Sequence, residues 1–119
     1  MKLVLVIEDN EANLYLMRFI LENNGFDVIE ARTGLQGVEV ANKEKPDLIL
    51  MDIQLPDIDG LEATKRIRAS ETDDAIPIVA VTSYAMAGDR EKALAAGCTD
   101  YIEKPIDPER FVEKIRKYL

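Results

Sequence analysis

Three runs of almost uniformly apolar residues, 3–7, 48–51 and 76–81, constrain this chain more than any other feature, because an unbroken apolar strand has to be covered on both faces. In a chain of 119 residues, a parallel sheet with helices on each side meets that demand. The segments between the runs carry the helical period such a fold needs. Apolar residues recur at Leu14, Met17 and Leu21 after Asn10, at Leu35, Val38 and Ala41 after Thr33, over 61–67 and 85–96, and at Phe111, Val112, Ile115 and Leu119. Two further strands, 27–31 and 99–103, mix polar with apolar residues and so belong at the sheet edges. Five βα units with those two outermost predict one α/β domain over residues 1–119. Its doubly wound, five-stranded parallel sheet has the order 2-1-3-4-5, a flavodoxin-like (βα)5 arrangement with right-handed crossovers.

Boundary signals agree with that reading. Gly25 and Gly97 stand where left-handed helix ends are wanted, and Pro46 follows a helix that cannot continue. Thr33 with Gln36 reads as a capping box, and Asp107-Pro108-Glu109 as a cap, a first-turn proline and a carboxylate that favours the helix dipole.

Composition narrows the chemistry. With 15 Lys and Arg against 23 Asp and Glu the net charge is −8, which repels a nucleic-acid backbone and argues against direct nucleic-acid binding. There is no histidine, so His-based metal sites, triads and phosphohistidine relays are excluded, and a lone Cys98 forms no internal disulfide. No apolar run approaches the roughly 18 residues of a membrane span. The expectation is a soluble, cytoplasmic protein without membrane insertion, whose chemistry rests on carboxylates, Lys and hydroxyls.

In an open parallel sheet, ligands bind beyond the carboxyl ends of the strands at the point where the strand order reverses. The residues there are Glu8-Asp9 after the first strand, Asp52 after the third, Thr82-Ser83 after the fourth and Glu103-Lys104-Pro105 after the fifth. Three clustered carboxylates repel one another and need a cation or protons. An oxygen-only set points to Mg²⁺, a hard ion that takes few protein ligands and leaves positions for water or a phosphoryl group. A carboxylate becomes a phosphoryl acceptor when a metal neutralises the incoming oxygens, with a Lys as point charge and a Thr hydroxyl as donor.

The acidic pair Glu8-Asp9, MDIQLPDIDG around Asp52, VTSYA around Thr82 and YIEKP around Lys104 together resemble the receiver family of two-component response regulators. The likeness runs from Leu3 to about Leu119, and LVIEDN and MDIQLPDIDGLEATK are similar to single-domain regulators of the DivK and CheY kind and to receiver modules of hybrid kinases. It implies that Asp52 is the phospho-acceptor, and that Asp9, Asp52 and the backbone carbonyl of Gln54 ligate Mg²⁺, with Glu8 acting through a metal-bound water. It also implies that Lys104 pairs with the phosphoryl oxygens and that Thr82 swings to bond one of them. Tyr101 then moves inward and remodels the face of the fourth helix, fifth strand and fifth helix. A cis Lys104-Pro105 bond is a further implication. Gln54 and Tyr84 flank the path of attacking water, and the bulk of Tyr84 is expected to slow hydrolysis. The implied partners are a histidine kinase or phosphotransfer protein as donor and a downstream protein target, with a phosphorylation-dependent dimer left open. The chain is then a switch that assists its own phosphorylation rather than an enzyme.

Other residues have plainer readings. Asp57, Asp59 and Asp107 are turn and cap residues, Met17, Met51, Met86 and Cys98 fill the core, and the run Asp89-Arg90-Glu91-Lys92 is a solvated helix face. A haloacid-dehalogenase-like phosphatase also uses a strand-end Asp, but Gln54 stands where its second Asp would be. The first βα turn lacks a glycine fingerprint for nucleotides. A receiver fold that signals by docking alone is opposed by the intact acidic pair, Asp52, Thr82 and Lys104.

Overall fold

The computed structural model describes residues 1–70, 76–83 and 88–119. Its elements are β1 (Leu3–Ile7), α1 (Glu11–Asn23), β2 (Asp27–Ala31), α2 (Gly34–Glu44), β3 (Leu48–Asp52), α3 (Gly60–Ser70), β4 (Ile78–Thr82), α4 (Asp89–Ala96), β5 (Asp100–Glu103) and α5 (Pro108–Arg116). All pairings are parallel and the strand order is β2-β1-β3-β4-β5, as the strand compositions predict. The two mixed strands are the edges, and the three apolar ones lie between them.

Alternation along the central strands divides the core into two layers. Val4, Val6, Leu48, Leu50, Val79 and Val81 pack against Leu14 and Met17 of α1 and Phe111 and Ile115 of α5. Leu5, Ile7, Ile49, Met51, Ile78 and Ala80 face the other way, onto Ala41, Ile67 and Ala93 of α2, α3 and α4. Each layer removes large aliphatic side chains from water at about 1.5–3 kcal/mol apiece, so the sheet is held from both sides. Cys98 is a buried filler, as its position beside Gly97 suggests.

Helix starts follow their sequence signals. Asn10 accepts from the Asn13 N–H, Thr33 from the Gln36 N–H, and Asp107 from the Glu109 and Arg110 N–H groups. Gly25 and Gly97 take positive φ, 84° and 114°, at the ends of α1 and α4.

Four strand limits differ from expectation by one or two residues, one of them the end of β4, which runs on to Thr82. β4 begins at Ile78 because Pro77 has no N–H for the ladder, although its carbonyl accepts from Ile49 at 2.9 Å. β3 runs on to Asp52, which pairs with Val81. β5 begins at Asp100, since the Thr99 hydroxyl rather than a backbone carbonyl takes the Ile78 N–H, at 3.1 Å. The helix expected over 85–96 is described from Asp89, and Tyr84, Ala85 and Met86 lie outside the described residues. Among the described residues, no helix is long and apolar enough to cross a membrane.

Candidate functional site

Parallel pairing brings the carboxyl ends of the strands to one edge of the sheet, and the candidate residues meet there. The Glu8 N–H continues the β1 ladder by donating to Ala31 O at 3.0 Å, which turns its side chain inward to full burial. Asp52 and Thr82 end β3 and β4 and are 5% and 3% exposed. The Lys104 N–H donates to Thr82 O at 2.8 Å just past β5. From there its Nζ reaches back across the sheet to 2.6 Å from Glu8 Oε1 and 3.6 Å from Asp52 Oδ2. The Lys104-Pro105 bond is cis, as the family likeness implies.

Glu8, Asp9 and Asp52 each offer a carboxylate oxygen, and the three atoms lie within 4.8 Å of one another. One ammonium does not balance three carboxylates, and Asp52 shows the deficit. Burial pushes its carboxyl up, a hydrogen bond and repulsion from Glu8 push it further, and Lys104 and the Gln54 N–H only partly reverse this. The result is a rise from 3.8 to about 7. A site with oxygen donors only, surplus negative charge and one exposed member, Asp9, fits a hard divalent cation that keeps part of its water shell.

Two backbone arrangements support Asp52. The Gln54 N–H donates to Asp52 Oδ1 at 3.1 Å. Gly60 N–H donates to Ile53 O at 2.8 Å, and a Cβ on Gly60 would lie 2.2 Å from Asp52 O, so α3 starts against the strand end only because position 60 has no side chain. Tyr101 is 7% exposed and lines, with Thr82, Ile53, Gln54 and Leu61, a cavity of about 250 Å³. The ring is thus already buried beside the residue expected to control it. Along α4, β5 and α5 runs a wider groove of about 670 Å³, with Arg90, Arg110, Phe111 and Lys114 in its walls.

The structure brings Glu8, Asp9, Asp52, Thr82 and Lys104 together at one crevice, while Tyr84 lies outside the described residues. Sequence reasoning missed ties between distant elements. The Tyr118 hydroxyl donates to the buried Asp100 at 2.6 Å, Lys114 donates to Tyr101 O at 2.8 Å, and Asp57 bonds the start of α2 as well as its own loop. Asp100 is a buried carboxylate at the start of an edge strand of mixed composition, where a polar residue by itself gives no signal of a partner. The others have no local pattern either.

The chain matches the model of the response regulator receiver domain over residues 4–116. It is 48% identical over 118 residues to the polar-differentiation response regulator DivK of Brucella ovis, covering 99% of this chain and 96% of that protein. Among solved structures, the receiver domain of a sensor histidine kinase from Pseudomonas aeruginosa PAO1, with a magnesium ion coordinated in its active-site cleft, has a TM-score of 0.91 at 37% identity. It covers 98% of this chain and 96% of that one. The BeF3-activated receiver domain of RstA from Klebsiella pneumoniae has a TM-score of 0.89 at 30% identity, covering 98% and 97%. Fold, acidic crevice and family match coincide: the chain belongs to the receiver domains of two-component response regulators, which act as phosphorylation-regulated switches.

Proposed function

We propose that Asp52 is the phospho-acceptor of a phosphorelay and takes its phosphoryl group from a histidine of a partner kinase or phosphotransfer protein. The single observation that carries this reading is a nearly buried strand-end carboxylate with an ammonium 3.6 Å away and two further carboxylates beside it. In the transfer, an Asp52 carboxylate oxygen bonds to phosphorus while the bond from phosphorus to the donor's imidazole nitrogen breaks and its electron pair stays on that nitrogen. Asp9, Asp52 and the Gln54 carbonyl would hold Mg²⁺, with Glu8 acting through a water, and the ion would supply the positive charge that neutralises the phosphoryl oxygens. Lys104 exchanges its contact with Glu8 for a phosphoryl oxygen, and the Thr82 hydroxyl donates to another. Tyr101, beside Thr82, carries the change to the groove along α4, β5 and α5, where a downstream protein docks.

On this reading the chain is a cytoplasmic switch rather than an enzyme acting on free substrates, because Gln54 provides no acid for turnover. Intact mass after incubation with acetyl phosphate tests it. One phosphoryl group is expected with Mg²⁺, none with EDTA and none on Asp52→Asn. Unchanged labelling of Asp52→Asn would remove Asp52 from the role.

A further inference from the structure

The β3–α3 loop, residues 53–59, touches Asp52 through the Gln54 N–H, yet part of what holds the loop lies outside the site. Asp57 Oδ1 accepts from the Gly34 N–H and Oδ2 from the Leu35 N–H, both at 2.8 Å, at the start of α2. These bonds are ionic in character, for the Leu35 N–H above all, with the Gly34 N–H, holds the Asp57 carboxyl below its ordinary value despite its exposure. Thr33 Oγ1 takes the Gln36 N–H at 3.0 Å, so the cap residue and Asp57 divide the first donors of α2 between them.

A second contact joins the same two segments. A Cβ on Gly34 would lie 2.5 Å from Ile58 Cγ1 and 2.9 Å from the backbone oxygen of Ile58. Gly34 therefore lets α2 sit directly on the loop. At the loop's far end Asp59 Oδ1 accepts from the Glu62 N–H at 2.8 Å and caps α3. The loop is fixed by its own helix at one end and by α2 in its middle.

We propose that Asp57 and Gly34 are positioning residues that latch the β3–α3 loop to the start of α2, hold Gln54 against Asp52, and so set the readiness of the acidic cluster for Mg²⁺ and phosphoryl transfer. The inference rests on the reading of Asp52 as phospho-acceptor. Asp57 touches neither the acceptor nor the acidic cluster in any described contact, so it acts through the loop. Outer partners that orient a metal site are commonly worth 10–100-fold in affinity, and a link one step further out belongs at the lower end of that range.

The test compares the full chain with Asp57→Ala, Asp57→Asn, Gly34→Ala and Asp47→Ala. Asp47 accepts the Leu3 N–H at 2.8 Å at the opposite end of β3, so its variant loses a comparable side-chain-to-backbone bond away from the site. Alanine is also the better helix former, so harm from Gly34→Ala would not come from helix propensity. Three readouts apply: hydrogen exchange at the Gln54 amide without metal, Mg²⁺ affinity by calorimetry, and the initial rate of phosphorylation from acetyl phosphate. Asp57→Ala and Gly34→Ala are expected to speed exchange at Gln54, to weaken Mg²⁺ binding about tenfold and to slow phosphorylation similarly. Asp57→Asn keeps one acceptor oxygen and is expected to recover part of the loss, and Asp47→Ala to match wild type. Wild-type values for Asp57→Ala, or an equal effect of Asp47→Ala, would overturn the latch. A wild-type chain that takes no phosphoryl group would instead overturn the phospho-acceptor reading, with the latch still judged by exchange and Mg²⁺ affinity.

Discussion

Asp52 meets a buried like charge in Glu8 and a single ammonium in Lys104, and that imbalance has a measurable sign. Its folded-state value of about 7 stands above the ordinary 3.8, so ionising it opposes folding. Without metal, stability is expected to fall as pH rises from 3.8 through 7, and Asp52→Asn to remove that slope. In EDTA at pH 8 the variant should gain at least about 1 kcal/mol by urea denaturation, since one pKa unit is worth about 1.4 kcal/mol. An equal or lower midpoint would contradict this account. Gly60→Ala acts on the same residue from behind, because its methyl group meets Asp52 O; a loss of about 2–3 kcal/mol in thermal melts is expected, at the upper end of overpacking costs. The acidic cluster and Lys104 were legible in the sequence because apolar strands announce where they end, and chemistry collects at those ends. Asp57 was not. Its partners precede it by 22 and 23 residues, and a Pro-Asp pair in a turn has an adequate local explanation.

Between elements, α5 is bound to β5 by polar ties as well as by Phe111 and Ile115. The buried Asp100 would rise on desolvation alone, but the Tyr118 hydroxyl, the Tyr101 N–H and Lys114 together bring its carboxyl below the ordinary 3.8. A carboxyl held down in the folded state contributes stability above its unfolded value, and that contribution is lost as pH falls through the folded one. Tyr118→Phe is therefore expected to cost about 1.5 kcal/mol at pH 7, as for a hydrogen bond to a charged group. The gap from wild type should narrow below pH 3.8, which guanidinium unfolding at several pH values would show. Element type was readable from periodicity and strand order from the mixed composition of the two edge strands, whereas the starts of two strands shifted where a backbone donor was missing or diverted. Pro77 and the Thr99 hydroxyl did this for β4 and β5, and neither effect is encoded in hydrophobic pattern.

For the molecule as a whole, Mg²⁺ binding and folding are linked, since the cluster of Glu8, Asp9 and Asp52 exists only when β1 and β3 lie side by side. Mg²⁺ at one hundred times its dissociation constant is expected to stabilise the chain by about 2.7 kcal/mol in a chemical denaturation series. Asp9→Ala should abolish that gain while changing stability in EDTA little, because Asp9 is exposed. Persistence of the Mg²⁺ effect in Asp9→Ala would place the ion elsewhere. The global architecture was the most legible level of all, because two-faced burial of three strands admits few arrangements. The link between Glu8 and Lys104 spans 96 positions, from the first strand to the last. A growing polypeptide on the ribosome presents Asp52 well before Lys104, 52 residues further on, emerges. A chain that has not yet reached Lys104 therefore holds Asp52 beside Glu8 with no ammonium between them, and the crevice is complete only once the segment after β5 has been made.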